Sequence, residues 1–297
     1  KEWLYQLLNE DHNIIRSPKS YNSQIGVPLS VWPMNEQHML GIFEAGISEQ
    51  GEMLRLERMI RPTIGVLTNI GEAHSEGFSD ADHKFREKLS LFRNSPVIIG
   101  RAVDFEGREE ALDMLGADIR LLTWGNGEMD HFKVQNVEKT DEQATIHLSL
   151  DGDEVIFSIP FTDDAAVENA ITCCCVLLYL GVSPGIIAGK MKKLHPVNMR
   201  LELKKGINNC AVINDSYSAD TSSLEIALNF LDQQTAGTKK TVILSDFLQS
   251  AMPDTELYGV VLEKLRKHRV ERLIGIGEKI TAALPPLMTA EDNLRTE

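Results

Sequence analysis

Apolar positions at helical spacing open the chain in KEWLYQLL (Lys1 to Leu8), which starts with no N-cap residue. The stretch from Ser17 to Pro28 is rich in Ser, Pro and Asn and reads as a loop leading into polar, largely irregular chain. Short apolar runs follow at Met39 to Glu44 and Ile64 to Leu67, separated by a helix-like run from Glu49 to Met59. That alternation is the βαβ rhythm of a parallel sheet. Val97 to Ile99 is predicted as a third strand, Glu106 to Leu115 as a helix and Arg120 to Leu122 as a fourth strand. From His131 to Pro160 the period changes to two. The segments FKVQNV, ATIHLSL and EVIFSIP are joined by polar turns, one of them the hairpin signal Asp151-Gly152. This predicts a small antiparallel meander attached to the main sheet.

Two helices, Asp164 to Leu180 and Pro184 to Leu194, close the first domain, and His195-Pro196 marks the expected boundary, because proline ends a helix and a new strand pattern starts at Leu201. The domains are therefore placed at 1–196 and 197–297. The second runs strand (Cys210 to Asn214), helix (Thr221 to Leu231), strand (Thr241 to Leu244), helix (Thr255 to His268), strand (Arg272 to Ile276). That is a Rossmann-like α/β order without a G-x-G-x-x-G turn. The fold class expected for the whole chain is α/β, with a parallel sheet, a meander and a second α/β domain.

Length and charge narrow the classes of function. The 297 residues suffice for two domains with separate cores, and a formal charge of -14 disfavours a nucleic-acid groove or an anionic membrane surface, both of which need clustered Lys and Arg. The longest apolar run, Ile171 to Val182, is about twelve residues and too short to span a bilayer, so no membrane insertion is expected. Three of the four cysteines are consecutive at Cys173, Cys174 and Cys175. That arrangement suits neither a disulfide framework nor a zinc knuckle, and reads as small apolar filler on a buried helix in a reducing cytoplasm.

Three residues could carry chemistry. Glu44 ends an apolar strand, where a carboxylate is costly to bury unless it is ion-paired or holds a metal. His74 lies in the loop after the strand Ile64 to Leu67, and Lys88 lies in the helix that follows. Loops at the carboxyl ends of parallel strands are where open α/β sheets place ligands. Taken singly, each has a plain alternative: a structural salt bridge for Glu44, a solvated loop histidine for His74, a surface charge for Lys88.

The words SYNSQIGVP (Ser20 to Pro28), FEAGISEQGEM (Phe43 to Met53) and RPTIGVLTNIGEAHSEGF (Arg61 to Phe78), followed by MRLE (Met199 to Glu202), NDSYSADTSSLEIAL (Asn214 to Leu228) and VILSDFLQ (Val242 to Gln249), resemble the Mur ligases of peptidoglycan synthesis over nearly the whole chain. Within that family the branch that adds a dipeptide is the most similar. The resemblance implies a central ATP-binding domain followed by a C-terminal Rossmann-like domain. It also implies an ATP-dependent ligase that joins D-alanyl-D-alanine to UDP-N-acetylmuramoyl-tripeptide through an acyl phosphate, and two Mg2+ ions held by Glu44, His74 and a carbamylated Lys88. Carbamylation needs an uncharged amine, so that lysine must be desolvated. Lys84 is the competitor one turn earlier, and Asn69 and Glu72 are expected to shape the loop rather than touch metal.

Further positions follow from the same resemblance. Arg200 and Asp215 are expected to face the nucleotide, with a domain-interface salt bridge as the alternative for Arg200. Tyr217 and Asp220 are expected on the substrate side, in a turn that reads YSAD where the family often has YNAN. Adenine recognition falls to Asn169, the surviving asparagine of the family's HNxxN helix start, which reads Ala165-Ala166-Val167-Glu168-Asn169 here. Ser20 and Asn22 are candidates for the peptide substrate, or simply turn residues.

The family's GxxGKT phosphate loop, expected immediately before the first helix, occurs nowhere in the sequence, and GNGE at Gly125 and GIGEK at Gly275 lack its Lys-Ser/Thr ending. The sequence is therefore expected to be a fragment lacking an N-terminal substrate domain and that loop, and truncated at its C-terminus. The isolated polypeptide is expected to bind nucleotide weakly and not to turn over. An alanine racemase domain in the full-length protein is compatible with the resemblance. The competing readings are another Mur or folylpolyglutamate-type ligase, and a non-catalytic module of the same fold.

Overall fold

The computed structural model describes residues 1–297 except 48, 70–79, 198–199, 218, 235–238, 248–249, 251, 289–293 and 297. The described residues form two compact units, one running to His195 and the other starting at Pro196. Among them, no helix is long and apolar enough to cross a membrane.

The first unit opens with α1 (Glu2–Leu8), which buries Leu4, Leu7 and Leu8 along one stripe. Strands β1 (Ile14–Arg16) and β2 (Leu40–Ile42) pair in parallel as a separate two-stranded sheet. Between them lies α2 (Gly26–Val31), which corrects the expectation of a loop and irregular chain from Ser17 onwards. Pro28 is no obstacle, because it sits in the first turn, where a backbone N–H has no intrahelical partner. Ser23 Oγ accepts from Gly26 N at 3.1 Å, and a side chain at Gly26 would stand 2.7 Å from the Tyr21 backbone.

After α3 (Glu52–Ile60) the main sheet begins. It contains β3 (Ile64–Leu67), β4 (Val97–Arg101), β5 (Arg120–Gly125), β6 (Phe132–Lys139), β7 (Ala144–Leu150) and β8 (Asp153–Ile159), hydrogen-bonded in that order. The pairs from β3 to β6 are parallel and those from β6 to β8 antiparallel, so the predicted meander extends the parallel sheet directly. Asp151 and Gly152 both adopt positive φ, as the tight hairpin between β7 and β8 requires. The connection from β5 to β6 is tied by Asp130, whose carboxylate accepts from Thr123 Oγ1 at 2.8 Å and Gly127 N at 2.8 Å. Gly125 leaves room for it, since a Cβ there would lie 2.5 Å from Asp130 Oδ2.

Alternation along β4 shows why the sheet is covered on both faces. Val97 and Ile99 join one core with Leu122, Trp124, α1, and two further helices, α6 (Asp164–Tyr179) and α7 (Pro184–Met191). Ile98 points the other way, into a core built from Leu67, α3 and α4 (Ala81–Ser90). The tricysteine is packed filler within α6: all three side chains are buried, and desolvation pushes the Cys173 thiol up to about 11 and the other two higher still. Helix α5 (Glu109–Leu112) is shorter than the expected span Glu106 to Leu115, because Gly107 takes φ 70° and helical geometry starts only after Arg108.

In the second unit β9 (Glu202–Lys205) and β10 (Ala211–Asn214) form an antiparallel pair, followed by α8 (Thr221–Gln234). Strands β11 (Thr241–Ser245), β12 (Arg272–Ile276) and β13 (Arg295–Thr296) form a parallel sheet. Helix α9 (Asp254–Lys267) buries Leu257, Tyr258, Val261, Leu262 and Leu265 against Leu224, Leu228 and Leu273. Helix α10 (Glu278–Ala283) follows β12 across Gly277, whose φ of 133° and contact with the Asp246 carboxylate exclude a side chain.

Candidate active site

Glu44 stands just past the carboxyl end of β2, and the loop leaving the paired strand β1 wraps around it. Buried Ser17 fixes its backbone by accepting from Glu44 N through Oγ at 3.2 Å. Asn22 donates its side-chain amide to Glu44 Oε1 at 3.1 Å, while its carbonyl accepts from Gly46 N at 2.9 Å. Oε2 faces the Lys1 ammonium at 3.4 Å. That ammonium also donates to Ser17 O at 3.1 Å and to Lys19 O, and pairs with Glu2. Lys1 has 8% of its side chain exposed and Glu44 has 37%, so the cation is enclosed while the carboxylate remains open on one side. The structure thus places Asn22 as an orienting partner of Glu44, and Ser20 as an exposed turn residue whose carbonyl accepts from Asn22 N at 2.8 Å.

Lys88 lies in the last turn of α4, the helix capped at its start by Asp80 through a 2.7 Å bond from His83 N. Its amine donates to Asn69 O at 2.8 Å, two residues beyond β3. Desolvation, helped by the neighbouring charge of buried Lys84 and opposed by Asp104, lowers its pKa to about 8. Asn69 shapes the site through its backbone carbonyl. His74 and Glu72 lie outside the described residues. Among the described residues Glu44 and Lys88 form no ion pair with each other, and no group of three His, Cys, Asp or Glu side chains assembles around a common point.

The donor chemistry suits a hard cation. Glu44 offers an oxygen with one face open to solvent, and an amine with pKa near 8 can become an oxygen donor by carbamylation, which an ordinary surface lysine rarely does at neutral pH.

At the carboxyl end of β4 lies a further cluster that no sequence motif announces. Arg101 binds Asp104 through Nε at 3.2 Å and Glu168 of α6 through Nη1 at 2.6 Å. Burial pushes the Glu168 carboxyl up, against the pull of Arg101. Asn169 is exposed on α6 directly after this ion pair. The available signal was an arginine terminating the fully apolar run of β4, at the sheet edge where ligands dock.

In the second unit the guanidinium of Arg200 lies 4.0 Å over the ring of Tyr217, and Asp215 Oδ1 accepts from Leu201 N at 3.1 Å. These contacts bring the segments holding Arg200, Asp215 and Tyr217 together. Asp220 caps α8: its carboxylate accepts from Ser222 N at 3.0 Å and Ser223 N at 2.8 Å, while Ser223 Oγ accepts from Asp220 N.

Comparison with known proteins gives a consistent answer. Residues 1–177 match the Mur ligase middle domain. The chain is similar to UDP-N-acetylmuramoyl-tripeptide--D-alanyl-D-alanine ligase of Bacillus subtilis, with 28% identity over 252 residues, covering 84% of this chain and 53% of that protein. The enzyme of the same name from Haemophilus influenzae is 23% identical over 218 residues, covering 71% and 46%. The chain spans about half the length of these curated relatives. Among solved structures, MurF from Acinetobacter baumannii superposes with a TM-score of 0.85 at 22% identity, covering 100% of this chain and 64% of that one. The MurF ligase from Thermotoga maritima in complex with ADP gives a TM-score of 0.77 at 17% identity, covering 100% and 72%. At these identities the superpositions establish the fold.

Proposed function

This chain belongs to the Mur ligase family, whose middle domain it matches over residues 1–177, and from that premise we propose that the protein is the ATP-dependent ligase that adds D-alanyl-D-alanine to UDP-N-acetylmuramoyl-tripeptide in the cytoplasm. Its relatives in Bacillus subtilis and Haemophilus influenzae carry that name, which supports the choice of substrates. The observation that carries the reading is Lys88. A half-buried amine, anchored on the backbone at the carboxyl end of a parallel strand and lowered by desolvation to a pKa of about 8, is well suited to carbamylation.

In that modification the Lys88 lone pair forms an N–C bond to carbon dioxide, one C=O electron pair moves to oxygen, and an amine proton leaves to solvent. The anionic carbamate, Glu44 and His74 are the residues that would hold magnesium, which when bound supplies neutralising charge to the nucleotide phosphates. Lys1 and Asn22 keep the Glu44 carboxylate oriented and its open face free. Arg200 and Asp215 are proposed to face the nucleotide, Asn169 to face adenine beside the Arg101–Glu168 pair, and Tyr217 to face substrate, with Ser20 at the rim of the Glu44 loop. Asp220 is proposed to act on that side through the turn it caps.

The reaction then follows the chemistry of phosphoryl transfer. The free carboxylate of the tripeptide attacks the γ-phosphorus, an O–P bond forms as the bond to the ADP oxygen breaks, and an acyl phosphate results. The amine of the dipeptide attacks the acyl carbon. Its C–N bond forms as phosphate leaves, and the amine proton is released. Holding both reactants in place does most of the work.

The test is phosphate release by the purified product of the complete gene, supplied with ATP, magnesium and the nucleotide-linked tripeptide. D-alanyl-D-alanine is expected to stimulate release and to appear in the product, whereas single amino acids or glutamate are not. Stimulation by a single amino acid alone would move the protein to another branch of the family.

A further inference from the structure

At the opposite, amino-terminal edge of the main sheet, the end of α3, the approach to β3 and the turn before β4 surround a cleft of about 570 Å³. Arg58, Arg61 and Arg93 line it, with Glu57, Asn94 and Pro62. Glu57 is 5% exposed and accepts from the Asn94 amide at 2.9 Å, which fixes the floor of the cleft. The three guanidinium groups are exposed and have no side-chain hydrogen bond, ion pair or ring contact among the described residues. Arg16, Arg86, Arg101 and Arg108 of the same unit each hold a carboxylate. In a chain with 44 acidic and 30 basic side chains, three arginines converge on one concavity whose single lining carboxylate, Glu57, is buried and bonded to Asn94, which leaves the cleft with a net positive lining.

Arg61 adds a second observation. It closes α3 with φ 49° and ψ 62°, a left-handed conformation that glycine adopts without strain and a side chain does not. The arginine held there lines the cleft, at the expense of backbone strain.

We infer that this cleft is a binding site for a small molecule bearing two or more phosphate groups, of nucleoside diphosphate size. Guanidinium forks match phosphate oxygens two at a time, and the volume falls in the range of small-molecule sites. The site is separate from the Glu44 and Lys88 loops: Arg61 precedes β3 and Asn69 follows it, with four residues of strand, roughly 13 Å, between the two edges. Occupancy would bridge α3 to the turn before β4, and so brace the two strands whose far ends lead to Asn69 and Arg101.

The test uses the complete protein labelled at the arginine side chains, titrated without divalent cation with inorganic pyrophosphate, with ADP, and with a short poly-glutamate peptide. Pyrophosphate is expected to shift the Nε–H resonances of Arg58, Arg61 and Arg93 and to give a calorimetric affinity that falls at least tenfold in the double variant Arg58→Glu, Arg93→Glu. Tighter binding of ADP than of pyrophosphate at these resonances identifies a nucleotide as the ligand, and equal binding identifies free polyphosphate. Arg61→Gly, which relieves the backbone, is expected to raise the unfolding midpoint while weakening pyrophosphate binding, so loss of binding is separated from loss of fold. Absence of shifts at the three arginines, unchanged affinity in the double variant, or preference for the peptide over both phosphate compounds would overturn the assignment.

Discussion

At the scale of single residues, the site is governed by what desolvation does to Lys88. With a pKa near 8, about a quarter of its amine is neutral at pH 7.5, against roughly a thousandth for a lysine at its ordinary 10.5. Between those two values the unfolded chain keeps a proton that the folded chain has released. Folding stability therefore rises with pH across that window, and the full penalty of the partly desolvated ammonium is felt below pH 8. Lys88→Met is expected to remove this dependence. In bicarbonate-free buffer the wild type should gain stability relative to the variant between pH 7.5 and 9.5, as read by urea denaturation; parallel behaviour would mean an exposed amine. Glu44→Gln keeps the shape and the Asn22 contact but loses the charge that faces Lys1. In the product of the complete gene, the proposed ligase turnover is expected to drop on the order of 100-fold with little change in melting temperature, and the drop should shrink at high magnesium. Glu44 and Lys88 could be picked out from their neighbours in the chain. Lys1 and Ser17 could not, nor could the contact of Asn22 with Glu44, because pairing of β1 with β2 delivers them from a distant part of the sequence.

Elements were read well where their own periodicity was long. The three meander strands and the hairpin at Asp151-Gly152 follow the alternation of apolar positions, α8 and α9 follow the helical stripe, and α6 follows its long apolar run, buried all round. Short pieces were missed. Three residues of β1 contain no period to detect, and α2 is hidden behind a proline that its first turn tolerates. Caps show how one residue can hold a structural place beside a proposed role. Asp220→Ala is expected to cost about 1 kcal/mol of stability in the second unit, and Asp220→Ser to restore most of it, because a serine oxygen can also accept from the first turn. Should Asp220→Ser fold normally yet leave the ligase without activity, the aspartate would have a substrate role beyond the cap. Gly125→Ala forces a Cβ against the Asp130 carboxylate and is expected to destabilise the β5–β6 connection by about 1–3 kcal/mol, measurable by thermal denaturation.

At the scale of the whole molecule the chain is two units that meet in sequence at His195-Pro196, the first with a core on each face of its sheet. Ile146 is fully buried in the meander, within the first of them. Ile146→Ala is expected to cost about 2–5 kcal/mol. Hydrogen exchange should show the loss confined to amides before residue 196, with α9 and β12 protected as in the wild type. Faster exchange in both units would reveal a single cooperative structure. Charge acts at this scale too: the net -14 left the arginine cleft invisible to composition, since Arg58 and Arg61 at the end of α3 meet Arg93 only through the turn before β4.

By itself the amino-acid order determined the α/β class, the meander, the buried tricysteine, the break before Pro196 and the Mur ligase membership, since all of these are written in local period, turn chemistry or contiguous words. Tertiary structure alone decided that β2 pairs with β1 and not with β3, that β10 turns back onto β9, that Asn22 and Lys1 hold Glu44, and that Lys88 is desolvated. Strand pairing and solvent exclusion depend on which distant segments arrive together, and no local pattern encodes that arrival.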